Sequence, residues 1–447
     1  MIARVVALIL LILTSVSPAA ELAFPIEKHM LDNGLMVLLI PDHSAATVTL
    51  QVWYKTGSRN ERPGITGISH LFEHLMFKGS DNYPKDKFDR LIYGNGGINN
   101  AWTDFDNTTF YEVVPSDKLD MVLALEADRS RHLKLNEDNL KSERNVVINE
   151  RLWRFDNSPF GAMYEMLFNN SFVAHPYRWL PIGFRSDIDS ISLQDCLDYY
   201  HIHYSPNNSF LVIAGDFDPK EAMKLVEKHY KAIKAEVPPP HVTTIEPEQY
   251  GERRIDFHRV AQLPAMFAGY KIPAASDPDI VPIQVAGKIL FSGESSRLYS
   301  RLVYTEQKAL FVEGEANVKN NPSLFFVGAQ TVPGVDIKDV EKEIYEEIDK
   351  MKTEPVSDSE LQKAKNQMEA DFINGLISNE DRAGQVGSFE IDTGDYTNIY
   401  NYPDKIQAVT ADDIMRVVSK YLVDTKRTVI NLIPEQPKGP GASSSAQ

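Results

Sequence analysis

The sequence of 447 residues contains very little cysteine: Cys196 is its single thiol. A disulfide needs two cysteines, so no disulfide can form within the chain, and a zinc site built on cysteine is excluded as well. Any metal ion held by this chain would need histidine and carboxylate ligands instead.

Positive charge is also scarce relative to negative charge. Lysine and arginine number 46, against 63 aspartate and glutamate residues, which gives a net charge of −17. An anionic surface repels the phosphates of nucleic acids and the anionic faces of membranes, so we expect neither as a partner. Hydrophobic residues make up 43% of the chain and charged residues 24%. These values are typical of a folded globular protein, and the length allows two or three domains.

Long hydrophobic runs are almost absent. The one clear run covers residues 5–13 behind Arg4, and the small residues Ser17 and Ala19 follow it. The run is much shorter than the ~20 residues needed to span a bilayer. A charged start, a short apolar core and small residues are typical of a secretory signal. We therefore expect cleavage of residues 1–19 and a periplasmic or secreted mature chain; the alternative is an uncleaved membrane anchor.

What the sequence does contain is a mixture of strand and helix patterns. The pair Asn33-Gly34 between two apolar stretches predicts a β-hairpin within residues 29–40. Apolar periodicity predicts further strands at residues 47–54 and 101–114, and helices at residues 67–77, 119–133 and 137–155. Because strands and helices do not alternate regularly, the pattern favours an α+β class with layered domains.

A proline-rich segment divides the chain. Residues 235–251 predict a linker between a first domain at residues 21–234 and a second at residues 252–435. The two parts end alike, since the segment that begins at Ser192 resembles the segment that begins at Thr410, 218 residues later. We therefore expect two homologous domains produced by duplication, with coincidental similarity as the alternative. The Gly/Ser/Pro-rich residues 437–447 predict a disordered tail.

The pattern that carries chemistry runs from His70 to His74 and includes Glu73. The two histidines are one helical turn apart, so both lie on one helix face and can bind the same ion. Glu73 can reach a water molecule on that ion without being a ligand itself. Catalytic zinc sites use about three protein ligands and one open position, so one more ligand is needed. The alternative is a pair of structural or surface histidines.

A second predicted helix offers two carboxylates. Glu143 and Glu150 are seven residues apart, which is two turns and places both on one helix face, while Val146 and Val147 anchor that helix to the core. One of the two glutamates can bind the metal and the other can support it, and their spacing alone does not decide which. Glu143 can also be an ordinary solvated residue.

The order His-x-x-Glu-His, with the 76-residue step from His74 to Glu150, resembles the pitrilysin family of inverzincin zinc peptidases. This family includes insulin-degrading enzyme and the mitochondrial processing peptidase. The resemblance covers nearly the whole mature chain, from residues 31–35 through residues 64–70 to the last predicted strand. It implies a zinc-dependent endopeptidase with one Zn²⁺ per chain, held by His70, His74 and Glu150.

The same resemblance implies further roles. Glu73 would be the general base that takes a proton from the attacking water, and Glu143 would support the metal site from behind its ligands. Residues 94–103 resemble the edge strand to which a substrate peptide adds as an extra strand, with Asn99, Asn100 and Ala101 as substrate-binding residues. Asn100 would also polarise the scissile carbonyl. The alternative is an ordinary Gly/Asn-rich loop that enters a strand.

The second half departs from the family pattern. Residues 281–290, which match the zinc-binding helix, contain no histidine or acidic residue, so we expect this half to be catalytically silent. Family members commonly carry an Arg and a Tyr, seven residues apart, that grip the substrate, but this chain has Tyr304 and Phe311 at those positions. Arg297 with Tyr304 has the same spacing and is the substitute candidate for substrate binding, although Arg297 aligns earlier, where it would fix a helix start.

The resemblance also implies an assembly. The two-domain branch of the family forms clamshell chambers from two chains, and some members divide the zinc site and the Arg/Tyr pair between non-identical chains. We therefore expect half of a clamshell dimer that acts on peptides. Its partner would be a homologous non-zinc subunit with the Arg/Tyr pair, or otherwise a second copy. Two further functions stay open: a non-catalytic subunit of this family, and a zinc hydrolase with a non-peptide substrate.

Overall fold

The computed structural model describes residues 24–436, so the predicted signal peptide and the predicted tail lie outside the described residues. The first part of the chain forms β1 (Glu27–Met30), β2 (Met36–Pro41), β3 (Thr47–Tyr54), α1 (Ile68–Met76), α2 (Lys85–Gly94), β4 (Ile98–Thr103), β5 (Thr108–Pro115), α3 (Leu119–Arg131), α4 (Glu137–Arg151), α5 (Pro159–Ser171), α6 (Arg185–Ser190), α7 (Leu193–His203), β6 (Ser209–Gly215) and α8 (Pro219–Tyr230).

The second part forms β7 (Arg253–Val260), β8 (Ala265–Ile272), α9 (Ile280–Phe291), β9 (Ala309–Asn317), β10 (Ser323–Thr331), α10 (Ile337–Thr353), α11 (Asp358–Asn374), α12 (Asn379–Thr393), α13 (Tyr402–Ala408), α14 (Ala411–Tyr421) and β11 (Arg427–Glu435). Two π-helical turns, Leu152–Asp156 and Tyr299–Thr305, follow α4 and precede β9. The predicted α+β class is confirmed, with one sheet in each part.

The two sheets have the same strand order. The first sheet runs β1-β2-β6-β3-β5-β4 and the second runs β7-β11-β8-β10-β9. Apart from the added strand β1, each position in one sheet has its counterpart in the other. Each sheet has one parallel pair, β2 with β6 in the first sheet and β7 with β11 in the second, and the two pairs occupy equivalent positions. The other strand pairs are antiparallel. This correspondence fits the predicted duplication.

Each sheet is covered on one face by helices of its own half and on the other by a helix of the opposite half. Helix α5 of the first half packs on β8 and β11, while helix α12 of the second half packs on β3 and β6. As a result, Trp53 of β3 is buried beneath α12, and Leu167 of α5 lies against Gly269 of β8. The two halves therefore share hydrophobic core rather than touching only at their surfaces.

Several local predictions can be compared with these elements. The hairpin around Asn33-Gly34 is present as β1 and β2, and Gly34 takes the positive φ of 85° that the turn requires. The single strand expected at residues 101–114 is wrong, because the structure has two strands, β4 and β5. Asp104 causes the break: its backbone N–H bonds the carbonyl of Asn107, and its carboxylate accepts the N–H of Phe105.

The predicted linker contains no helix or strand, yet it is held to the rest of the chain. The carboxylate of Glu246 accepts the backbone N–H groups of Val173, Ala174 and His175 at about 2.9 to 3.1 Å. The side chain of Gln249 donates to the carbonyl of Arg427. The domain boundaries at residues 234 and 252 stay a prediction.

Helix α12 provides a test of the shared core. A methyl group at Gly387 would overlap the indole ring of Trp53, whereas one at Gly384 would meet nothing closer than the Gln51 side chain at 3.9 Å. We expect Gly387→Ala to lower the free energy of unfolding by about 1 to 3 kcal/mol through overpacking. Gly384→Ala, the control on the same helix, should be neutral or stabilise by up to about 1 kcal/mol. Chemical denaturation of both variants measures the difference, and equal effects would contradict the proposed packing.

Candidate metal centre

Helix α1 is fixed at its first turn by a buried carboxylate. Glu61 accepts the backbone N–H groups of Gly67 and Ser69, each at 2.8 Å, and the Ser69 hydroxyl bonds the hydroxyl of Tyr199 at 2.7 Å. Burial raises the pKa of Glu61 to about 8, although the two N–H bonds oppose that shift. Since one face of α1 is buried, with Leu71, Phe72, Leu75 and Met76 in the core, the histidines project from the other face.

Three nitrogen and oxygen atoms converge beside α1. His70 Nε2 lies 3.6 Å from Glu150 Oε2, and His74 Nε2 lies 3.5 Å from the same oxygen. The two imidazole rings are perpendicular, with centroids 4.9 Å apart. One ligand atom from each of His70, His74 and Glu150 lies within 4.8 Å of the others, the one such group among residues 24–436. Helix α4 therefore brings Glu150 to the pair of histidines.

The spacing of these atoms fits a zinc ion. Zinc with ligand bonds of about 2.0–2.1 Å in tetrahedral geometry separates its ligand atoms by about 3.3–3.4 Å. The separations of 3.5 and 3.6 Å between the imidazole nitrogens and the carboxylate oxygen are close to that value. Two imidazoles and a carboxylate are also the donor set of many catalytic zinc sites, with one position left for water.

Glu143 lies one layer behind these atoms. It is 4% exposed, and its Oε2 lies 3.7 Å from Nδ1 of His74, the ring nitrogen that faces away from Glu150. Lys78 forms an ion pair with it, and Ser142 donates a hydrogen bond at 2.9 Å. Burial opposes ionisation, but His74, Lys78 and Ser142 together lower the pKa of Glu143 to about 2. The ionised carboxylate is placed to orient the His74 ring.

The pKa values of the two histidines are shifted in opposite directions. Burial, together with the neighbouring His74, lowers the pKa of His70 to about 4. Burial also acts on His74, but the carboxylates of Glu143 and Glu150 raise its pKa to about 9. A metal ion needs both Nε2 atoms deprotonated, so metal binding near neutral pH would release a proton from His74.

Glu73 faces a different neighbour. Its Oε2 accepts a hydrogen bond of 2.6 Å from the hydroxyl of Thr103, the last residue of β4. Burial raises the pKa of Glu73, and the Thr103 hydroxyl partly offsets the shift. No lysine or arginine within residues 24–436 lies at ion-pair distance from it. The Thr103 hydroxyl thus fixes the Glu73 carboxylate beside the candidate ligands, and burial increases its proton affinity.

The predicted substrate strand is β4, and it lies at the edge of the first sheet. Asn99, Asn100 and Ala101 pair with β5 on one side, and the other side of β4 has no neighbouring strand in the described part of the chain. The N–H of Ala101 donates to the side-chain oxygen of Asn100 at 2.9 Å. The edge is therefore available for strand addition.

The second-half candidates are placed differently. Arg297 forms a two-pronged ion pair with Glu360 of α11, at 2.8 and 3.0 Å, and none of its contacts reaches the His70–His74 pair. Tyr304 lies on the π-helical turn and is 77% exposed, and Phe311 packs against Phe160. The structure brings the three expected ligands, Glu73 and Glu143 together, but it does not bring Arg297 to them.

Three site residues were missed by sequence reasoning. Lys78 pairs with Glu143, Thr103 bonds Glu73, and Arg154 lies 3.1 Å from the outer oxygen of Glu150. Arg154 could have been found, because it is one helical turn beyond Glu150. The sequence carries no comparable signal for Thr103, whose contact depends on how β4 packs against α1.

Comparison with known proteins places this geometry in a family. The model described as "Insulinase (Peptidase family M16)" matches residues 36–177, and "Peptidase M16 inactive domain" matches residues 190–368. "Zinc protease PqqE" from Helicobacter pylori is 34% identical, over 91% of this chain and 93% of that protein. A protease structure from Helicobacter pylori matches with a TM-score of 0.89 at 34% identity, covering 92% of this chain and all of that one.

A third match has a longer chain. The periplasmic protease PqqL from Escherichia coli has the same fold, with a TM-score of 0.75 at 17% identity. The match covers 92% of this chain but 48% of that one. Half of the PqqL chain thus corresponds to the whole of the fold described above. Together with the family models and the Helicobacter relative, these matches show that the chain belongs to peptidase family M16, the pitrilysin family, in its two-domain bacterial-type form.

Proposed function

We propose that this chain is a zinc-dependent endopeptidase that hydrolyses peptides at the candidate metal centre. The observation that carries the proposal is the convergence of His70 Nε2, His74 Nε2 and Glu150 Oε2 beside Glu73. In this proposal the three converging residues hold one zinc ion, Glu73 is the general base, and Glu143 orients His74 from behind. The relative named a zinc protease supports the choice of metal.

The chain's own residues supply the proton transfers. Zinc held there would lower the pKa of a bound water toward ~7 and polarise the peptide carbonyl. Glu73 is placed to accept the proton of the attacking water, since the Thr103 hydroxyl fixes one of its oxygens and burial increases its proton affinity. Glu73 then gives that proton to the leaving amine. Glu143 keeps the His74 ring turned toward the ligand group.

The substrate would lie along β4. An extended peptide that adds to this edge gains main-chain hydrogen bonds, which accept many side-chain sequences. Thr103 ends the strand next to Glu73, so a peptide in register with Asn99, Asn100 and Ala101 would pass the general base. Side-chain preference would then depend on the walls of the chamber rather than on the strand.

We further propose that two such units close around the substrate. PqqL, which has the same fold at 17% identity, is about twice as long as the matched region, so its chain has room for two units of this size. In this chain the Arg297 guanidinium is paired with Glu360 of α11, so Arg297 is not free to act as the arginine of an Arg/Tyr pair. A homologous partner that supplies that pair is the arrangement we favour over a homodimer.

The cellular location follows from the N-terminal pattern. Residues 1–19 have the features of a cleaved signal, and none of the helices within residues 24–436 is long and apolar enough to cross a bilayer. From the N-terminal pattern we propose that the mature chain lies in the periplasm or outside the cell. PqqL, the neighbour in fold, is itself periplasmic.

Two other functions are separable from this one by experiment. A non-catalytic M16 subunit would show no hydrolysis at any metal loading. A zinc hydrolase for small molecules would cleave esters or amides but not peptides of ten or more residues. A screen of unstructured peptides against small chromogenic esters, run with zinc and with a chelator, distinguishes all three.

The first prediction from the proposed function concerns Glu73, the proposed general base. We expect Glu73→Gln to lower kcat for peptide hydrolysis at least a thousandfold, because the variant cannot accept a proton, while about one zinc per chain remains bound. Metal analysis and peptide cleavage of the same preparation measure both quantities. Residual turnover near that of the wild type in a zinc-loaded variant would show that Glu73 is not the base.

The second prediction separates the roles of Glu143 and Glu150 on α4. Glu150→Gln removes a ligand and should yield protein nearly free of zinc after dialysis. Glu143→Gln removes a supporting contact, so zinc affinity should fall only about 10- to 100-fold and hydrolysis should continue slowly. Competition with a chromogenic chelator gives both affinities. If Glu143→Gln were the metal-free variant, the two roles would have to be exchanged.

The third prediction concerns assembly. We expect the purified chain alone to hydrolyse peptides poorly, and a homologous exported chain with the Arg/Tyr pair to raise kcat/KM by about 10- to 100-fold. That gain equals the roughly 1.5 to 3 kcal/mol of a hydrogen bond to a charged group. Light scattering should show a heterodimer. Full activity of the chain alone, unchanged by the partner, would refute the divided site and make Arg297 with Tyr304 the next pair to mutate.

A further inference from the structure

The two halves meet through two hairpin loops that occupy equivalent positions. Residues 104–107 join β4 to β5 in the first half, and residues 318–322 join β9 to β10 in the second. Lys319 Nζ lies 2.6 Å from Asp104 Oδ2, and the backbone N–H of Asn320 donates to Asp106 Oδ2 at 3.0 Å. The loop of the second half thus binds the loop that directly follows the substrate edge strand.

Asp106 is the buried centre of this contact. It is 1% exposed, and Arg59 forms an ion pair with it at 3.0 Å. The hydroxyl of Tyr177 donates to it at 2.6 Å, and Arg59 also donates to the Asn320 side-chain oxygen at 2.8 Å. We call Arg59, Asp104, Asp106, Lys319 and Asn320 the hairpin clasp. Loss of Arg59 would leave the buried Asp106 carboxylate without a cation, and loss of either neutral donor would leave a hydrogen bond unmade, so this carboxylate is firmly held.

Asp104 of the hairpin clasp directly follows Thr103, the residue that hydrogen-bonds Glu73. Strand β4 has a neighbour on one side only, so its backbone is less constrained than that of an inner strand. Its last residue, Thr103, bonds Glu73 at 2.6 Å, and the next residue, Asp104, is bound by Lys319. The end of the strand that carries Thr103 is therefore in contact with a lysine of the second half.

We propose that Lys319 and Asn320 are positioning residues for hydrolysis, which hold the end of β4 so that Thr103 orients Glu73. The proposal rests on the proposed function, in which Glu73 is the base. It gives the second half a task inside the reaction: its β9–β10 loop fixes the strand that carries both the substrate edge and the support of the base. A misplacement of a reacting group by about 1 Å can cost on the order of a hundredfold in rate.

The chain offers a matched control. Arg382 of α12 forms another ion pair between the halves, with Asp42 at 2.6 Å. Asp42 follows β2, which is four strands from β4 in the sheet, or about 19 Å at ~4.8 Å per strand. Lys319→Met and Arg382→Met each remove the cation of one ion pair between the halves. Each puts an unbranched apolar side chain in its place. Only the first pair touches the end of β4.

Kinetics of the full-length, zinc-loaded protein tests the proposal. We expect Lys319→Met to lower kcat about tenfold with KM changed less than threefold, and Lys319→Arg to restore most of the loss. Arg382→Met should keep the wild-type kcat. Because the clasp acts through Thr103, adding Lys319→Met to Thr103→Val should cost little more than Thr103→Val alone. A kcat for Lys319→Met equal to that of Arg382→Met, or fully additive losses, would overturn the proposal.

Hydrogen exchange supplies a readout that does not need activity. In Lys319→Met, the amides of residues 98–107 should exchange at least tenfold faster than in the wild type, whereas in Arg382→Met they should not change. Unchanged exchange in Lys319→Met would overturn the clasp even if the protein hydrolysed nothing. Wild-type protein that binds zinc but cleaves no peptide would contradict the proposed function instead, so the two failures are distinguishable.

Discussion

The burial of one face of helix α1 is the constraint on which the candidate metal centre depends. A helix of nine residues can point two histidines at one ion only if it cannot rotate about its axis. Its apolar residues are inserted in the core and its first turn is fixed by the Glu61 carboxylate. Gly67 makes that start possible, since it has a φ of 88° and a Cβ there would lie 2.8 Å from the carbonyl oxygen of Ile182. Everything that approaches the histidines, including α4 and β4, meets a fixed surface.

The same scaffold occurs twice, but within residues 24–436 only the first half brings candidate metal ligands together. Helix α9 follows β8 as α1 follows β3, but α9 contains no histidine, aspartate or glutamate. Lys288 of α9 pairs with Asp371 of α11 at 2.8 Å. The same elements line a cavity of about 1080 Å³ in the second half. The fold alone therefore does not make a metal site; the residues at a few helix positions do.

Sequence spacing predicted what lies on a single element and missed what lies between elements. His70 and His74 share a helix face by their spacing, and so do Glu143 and Glu150, so each pair could be proposed from the sequence. That the helix of Glu143 and Glu150 would face α1 was inferred from the need for a third ligand, and the family resemblance then chose Glu150 as that ligand. The contact of Thr103 with Glu73 and the clasp at Lys319 join residues 30 and 215 positions apart, and no local pattern encodes such distances. The break at Asp104 was missed because the turn covers only residues 104–107, and the residues on both sides have a strand pattern.

The three carboxylates of the metal centre are distinguished by their partners rather than by their chemistry. Glu143 is paired with Lys78 and close to His74, and its pKa falls to about 2 despite burial. Glu150 has a lowered pKa, chiefly through His74, and Arg154 holds its outer oxygen. Glu73 has a hydroxyl instead of a cation, and burial raises its pKa. A carboxylate with a higher pKa is the stronger base, so of the three Glu73 is the one suited to carry a proton. The cations beside Glu143 and Glu150 favour their ionised forms, which the proposed roles of support and ligand require.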